Sequence, residues 1–157
     1  MARNVSGYAI FCDDIRQEVG GKTSYIGVYQ DDLLTNAPFP TVLPKFGVAI
    51  VIFYTPRKAR QFQEIPFKII LPGDEKAALE GQMPIAPSGA ILSSPDHAPL
   101  TTRVTANVIF APLHIKAPGL IRIEAYVDRI TLSLGKLRVD QMPIPQATVT
   151  PPKAAQA

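Results

Sequence analysis

Apolar and polar residues alternate with a period of two along much of this chain, the spacing of strands with one face on a core. Thr102, Val104, Ala106, Val108 and Phe110 interleave with Thr101, Arg103, Thr105, Asn107 and Ile109, which predicts a half-buried strand. Ile121, Ile123, Ala125 and Val127 interleave with Arg122, Glu124, Tyr126 and Asp128 in the same way. In the last apolar run Ile130, Leu132 and Leu134 share one parity, whereas Leu137 and Val139 share the other. The buried face therefore switches near Gly135-Lys136, and a bulge is expected there. Phe46 to Tyr54 is apolar throughout, which predicts a central strand covered on both sides. Ile65 to Leu71 reads as another strand, and Pro66 places it at an edge or a bulge.

Near the start, Asp14 to Tyr29 reads as a hairpin turned by Gly20-Gly21. A two-residue loop pairs Val19 with Lys22, Arg16 with Tyr25, Ile15 with Ile26 and Asp13 with Val28. Ile15, Val19, Ile26 and Val28 then form one apolar face, and Arg16 lies over Tyr25 as a cation–π pair. Tyr8 to Cys12 is the same strand continued through a bulge or bend. Between residues 76 and 100 the pattern is weakest, with short strands expected near Leu79–Gln82 and Ala90–Ser93.

Seven to nine short strands punctuated by proline and glycine, with no long helical period, predict an all-β, single-domain antiparallel sandwich of immunoglobulin-like or similar type. A small barrel is the alternative. The domain is read as residues 1–140, followed by a proline- and alanine-rich flexible tail over 141–157. The 16 prolines among 157 residues mostly stand where one apolar run gives way to the next.

Composition narrows the setting. Cys12 is the single cysteine, so an intrachain disulfide is excluded and the cytoplasm is the expected compartment. The opening residues lead into an apolar run too short for a signal peptide, and Phe46–Tyr54 is about half a membrane span, so no membrane association is expected. Net charge is +3 with a pI near 9.1, too mild and too dispersed to argue for a polyanionic partner by itself.

Each candidate chemistry has a plainer competitor. Gly20-Gly21-Lys22-Thr23 resembles the end of a phosphate loop, but the earlier glycine is replaced by Arg16 and a strand follows instead of a helix. The pairs Asp13-Asp14 and Asp31-Asp32 are the alternative metal site of calcium type, since hard cations take six or more oxygens. In the hairpin register they do not converge unless the chain bends at Asp13, and strand-end aspartates commonly form turns. His97 and His114 lack ligand spacing, no serine sits in a nucleophile elbow, and Cys12 reads as an inert core thiol. Arg57, Lys58 and Arg60 form the densest basic segment and are the candidate nucleic-acid or polyanion contact, although three charges are few and a solvated loop is the favoured explanation. No cofactor is implied.

Tyr8 to Asp14, with Gly20-Gly21-Lys22 and Ile26-Gly27-Val28-Tyr29, resembles a family of small bacterial proteins, a domain of unknown function. Its members open with an apolar strand ending in Asp, then a Gly-Gly-Lys turn and a Gly-x-Tyr strand. Pro118 to Ile123 with Val127-Asp128 looks like the closing hairpin of such proteins. The resemblance implies a bacterial, intracellular sandwich and carries no activity or functional residue. The reading is therefore a non-enzymatic interaction or structural module, whose partner is an unknown protein or a second copy of itself.

Overall fold

In the computed structural model of the chain the described residues are 5–54, 64–85, 102–127 and 129–143. Among them the structure is all strand: β1 Val5–Glu18, β2 Lys22–Tyr29, β3 Asp32–Thr35, β4 Thr41–Leu43, β5 Phe46–Tyr54, β6 Glu64–Ile70, β7 Leu79–Pro84, β8 Thr102–Phe110, β9 Leu113–Ile115, β10 Gly119–Val127 and β11 Ile130–Gln141. A four-stranded sheet of order β2-β1-β5-β8 packs on a five-stranded sheet of order β3-β11-β10-β6-β7, and β4 and β9 form a small two-stranded ladder. Pairing is antiparallel except for β3 against β11. The two main sheets do not close on each other, so the architecture is the expected sandwich and not a barrel.

Alternation explains the core between them. Phe11, Val48, Ile50 and Ile52 point in from the four-stranded sheet against Phe67, Ile69, Ile121, Ile123, Leu137 and Val139 from the other. The face switch expected in the last strand is a register shift: Ile123 pairs with Gly135 and Glu124 with Ser133, leaving Leu134 as the extra residue. Leu134 is nonetheless buried, because the shift turns it toward β1. A Cβ on Gly7 would lie 2.8 Å from Leu134 Cδ2 and 2.6 Å from the Val51 carbonyl oxygen, and one on Gly135 would lie 3.2 Å from the Phe11 ring. Two residues without side chains thus let β1 and β11 cross closely.

Two local expectations are corrected. Glu18, not Val19, pairs with Lys22, so the hairpin loop has three residues, Val19-Gly20-Gly21, with both glycines at positive φ (82° and 75°). Three-residue loops place a left-handed residue before the returning strand, which Gly21 supplies. Every predicted pair shifts by one: Ile15 faces Tyr25, Cys12 faces Val28, and Val19 is 97% exposed instead of joining an apolar face. Arg16 accordingly does not stack on Tyr25; its Nε donates to Asp14 Oδ2 at 3.1 Å. Strand β6 is not an edge, since it lies between β10 and β7. Proline is accommodated because the β10 ladder ends at Phe67, one residue before Pro66. Residues 55–63, 86–101, 128 and 144–157 are outside the described residues, and with them the expected strand at Ala90–Ser93 and most of the expected tail.

Gly7→Ala is expected to lower stability by about 1–3 kcal/mol, the usual cost of overpacking. A fall in the urea midpoint at unchanged slope would show it. Val19→Thr, in the exposed turn, should stay within about 0.5 kcal/mol.

Candidate functional site

The two outward faces of the sandwich differ in chemistry. On the five-stranded sheet, register aligns Arg122 with Lys136 and Ile70, Glu124 with Lys68, and Lys68 with Glu80. Two of the cations on this face are paired: Lys68 Nζ lies 3.2 Å from Glu80 and 5.5 Å above the Tyr126 ring, and Arg138 reaches both carboxylate oxygens of Asp32 at 2.7 and 3.1 Å. Glu80 beside Lys68 holds the ammonium above its usual range, and Asp32 does the same for the Arg138 guanidinium. Pro66, Lys68, Glu80, Gln82 and Tyr126 line a shallow groove of about 410 Å³ on this face.

The outward face of the four-stranded sheet is apolar over β2, β1 and β5, whereas β8 adds Arg103, Thr105 and Asn107 beside Ile109. Its cross-strand rows are Val28-Cys12-Gly47-Ile109, Ile10-Ala49-Asn107, Tyr8-Val51-Thr105 and Ser6-Phe53-Arg103. No third layer of described strands covers it, yet Cys12, Ala49 and Val51 are buried, Cys12 and Ala49 within a cluster of neighbouring side chains. A Cβ on Gly47 would lie 2.8 Å from Ile15 Cγ1 and 3.0 Å from Cys12 Sγ, so the glycine is the floor on which both rest. Cys12, Ile15 and Ala49, with Ile10 and Tyr25 against them, form a small apolar cluster separate from the main core. Further along, the Tyr8 and Phe53 rings pack with centroids 6.3 Å apart. What stays open is Val28 (52%), Ile109 (46%), Tyr8 (43%) and, beside Val28 on β2, Ile26 (39%).

Cys12 and Ile15 are three residues apart and belong to opposite parities, so their contact requires the pleat to break between them. The break is at Asp13, opposite Gly27, whose φ is +64°. The Asp13 carboxylate occupies the space where a side chain at position 27 would stand, and Tyr29 Oη donates to Asp13 Oδ1. Burial first, and then Asp13 as acceptor and neighbouring charge, push the Tyr29 phenol well above its usual range. Next along β1, Asp14 receives Lys45 on Oδ1 and Arg16 on Oδ2. The Lys45 contact is close without the alignment of a directed hydrogen bond, so Oδ1, which is shielded from water, is compensated by charge. Lys45 first and Arg16 second hold the Asp14 carboxyl below the usual carboxylate range. These three residues border one end of the apolar face.

The residues singled out by chemistry are distributed differently. Asp13 and Asp14 are taken up by Tyr29 and by Lys45 with Arg16, whereas Asp32 is held by Arg138. Asp31 offers its carbonyl to the Arg138 amide at 3.2 Å. No group of three or more potential metal-ligating side chains converges among the described residues. His114 is exposed on β9, opposite Val42. Cys12 is buried with its S–H toward the Gly47 carbonyl at 3.6 Å, and burial first, then Asp13 and Asp14, push its thiol upward, the condition of an unreactive cysteine. Arg57, Lys58, Arg60 and His97 lie outside the described residues. The outward apolar face itself escaped the sequence reading, although Tyr8, Ile10, Cys12, Ala49 and Val51 were a signal. Apolar residues of both parities on adjacent strands exceed what one core can bury.

A family model described as a family of unknown function (DUF6941) matches residues 7–140. Comparison with curated proteins and with solved structures found no match.

Asp14 contributes stability that is present above the unfolded carboxylate value of about 3.9 and is lost as pH falls through its lower folded value. Asp14→Asn should therefore melt below the unmodified protein at neutral pH, and the gap should close in acid; a gap independent of pH would contradict the assignment. Tyr29 keeps its proton above the ordinary phenol value of about 10. Burial and Glu124 also raise Tyr126, so alkaline absorbance titration should show late-ionising tyrosines, the latest of which is absent in Tyr29→Phe.

Proposed function

The chain belongs to that family of unknown function, which assigns it no activity, and we propose that it is a non-enzymatic interaction module of a bacterial cytoplasm, engaging a protein partner through the outward face of its four-stranded sheet. The observation that carries this reading is the contrast between the two outward faces. The five-stranded sheet is studded with charge, including the Lys68–Glu80 and Arg138–Asp32 pairs, between its exposed Leu34 and Leu120, whereas the other sheet presents Tyr8, Val28 and Ile109 around a roofed apolar floor, bordered by charge at Asp14, Arg16 and Lys45 and by Arg103 at the opposite end. Contiguous apolar surface with a polar rim is the anatomy of a protein contact. The occupant this chemistry suits is a protein surface that is itself apolar and uncharged at its centre, because a buried charge facing Cys12 and Ala49 would find no counter-ion there.

The engagement of Asp13, Asp14 and Asp32 with protein partners weighs against the calcium-type alternative, and no specific observation favours polyanion binding. Capture from the native cytosol should yield a defined partner that survives high salt, and Tyr8→Asp or Val28→Asp should abolish that capture while each variant still unfolds in one cooperative transition. Unaltered capture by both variants would sink the proposal. Capture confined to low salt and released with nucleic acid would transfer the function to the basic segment at Arg57, Lys58 and Arg60.

A further inference from the structure

Among the described residues the two main sheets have four outer strands, and three of them carry devices that discourage pairing with another chain. Strand β3 is four residues long, β7 ends in Pro84, and β2 is broken by Gly27 at φ +64°. Short edges, prolines and kinks are how sheets protect their rims. Strand β8 has none of these. It runs nine residues, Thr102–Phe110, in unbroken register with β5, and contains no proline, glycine or lysine. Among the described residues β5 is its one ladder neighbour; β7 approaches it from the other sheet without pairing. Its inward side chains show the consequence. Ala106, Val108 and Phe110 pack on the core but are only half-buried, so the sandwich is open along this flank.

We propose that the β8 edge pairs with β8 of a second copy of this chain, antiparallel about a two-fold axis at Ala106, joining the four-stranded sheets of two protomers into one of eight strands. The sequence of β8 specifies this. A two-fold axis perpendicular to the sheet keeps both outward faces on the same side, so each residue must meet one of its own parity. The axis must therefore fall on a residue, and Ala106 is the position that brings all nine residues into pairs. Val104 then meets Val108 on the inward side, sealing the half-buried flank. Thr105 meets Asn107 on the outward side, and the one charged residue, Arg103, meets Ile109, so no like charges oppose each other. This pairing also turns the two outward apolar faces to the same side of the joined sheet, separated by the polar Thr105 and Asn107 of the seam. The inference extends the interaction-module reading by naming the partner of a second surface, the edge, and is tested separately from it.

Sedimentation or light scattering of the full chain should give twice the 17.0 kDa chain mass. Thr105 and Asn107 are exposed, so T105K/N107K and T105E/N107E can be made without disturbing the core. Each double variant sets like charges opposite each other twice across the axis. Each alone should halve the measured mass, and an equimolar mixture should restore the dimer. A monomeric unmodified chain at every concentration overturns the proposal, as does a dimer that persists in both charge variants, or failure of the mixture to reassociate. Val28→Asp, on the far strand of the sheet, should leave the dimer mass intact. Loss of the dimer with retained, Val28-dependent partner capture would remove this inference and leave the interaction-module reading standing. A dimer that captures no partner would do the reverse.

Discussion

The close crossing of β1 over β11 is the contact on which the rest of the structure depends. Packed sheets ordinarily stand about 10 Å apart, the depth of two interdigitated layers of side chains. Gly7 and Gly135 remove a side chain from each of the facing strands, and the freed space is filled by Leu134 from one side and by Phe11 with Ala9 from the other. The register shift that makes Leu134 the extra residue of β11 is what aims it there. Once this crossing is set, the inward parity of β1 is settled, and β5, paired to β1 over eight residues, follows it.

That choice leaves the other parity of β1 and β5 outside the core, and here the molecule departs from a simple sandwich. Tyr8, Ile10, Cys12, Ala49 and Val51 are too apolar for a solvated face. The pleat break at Asp13 and Gly27 brings Ile15 round to roof part of it over Gly47. The roof is incomplete. The same break that assembles it also interrupts β2 as a pairing edge, which directs any ladder extension of this sheet to β8. A local backbone feature thus couples the composition of the face to the choice of edge.

The candidate site was less legible in the sequence than the fold because the search for chemistry attends to charged and nucleophilic side chains. Those residues turned out to satisfy one another: Asp14 with Lys45 and Arg16, Asp32 with Arg138, Asp13 with Tyr29. Lys45 and Asp14 are 31 positions apart, and Arg138 and Asp32 are 106 apart, so neither pair is visible to a local reading. The apolar surplus on β1 and β5 was visible, but as an all-apolar strand it reads as a buried one, and only the sheet order shows that no third layer of described strands lies over it.

By itself the sequence determined most of the longer strands and the inward faces of β8, β10 and β11. Period-two alternation placed β8, β10 and β11, the parity change marked a bulge near Gly135-Lys136, within two residues of the extra Leu134, and continuous apolarity marked β5 as interior. These are local properties, because side-chain direction in a strand repeats every second residue whatever the partner. Tertiary structure decided what locality cannot encode. The hairpin register moved by one residue, because the loop took Val19 as well as the two glycines. Pro66 fitted an interior strand because β10 stops short of it. The parallel seat of β3 on β11, the apolarity of one outward face and the openness of the β8 flank came from which strands met across long stretches of chain. Pairing energy depends on both partners, and a strand's own sequence specifies only one of them.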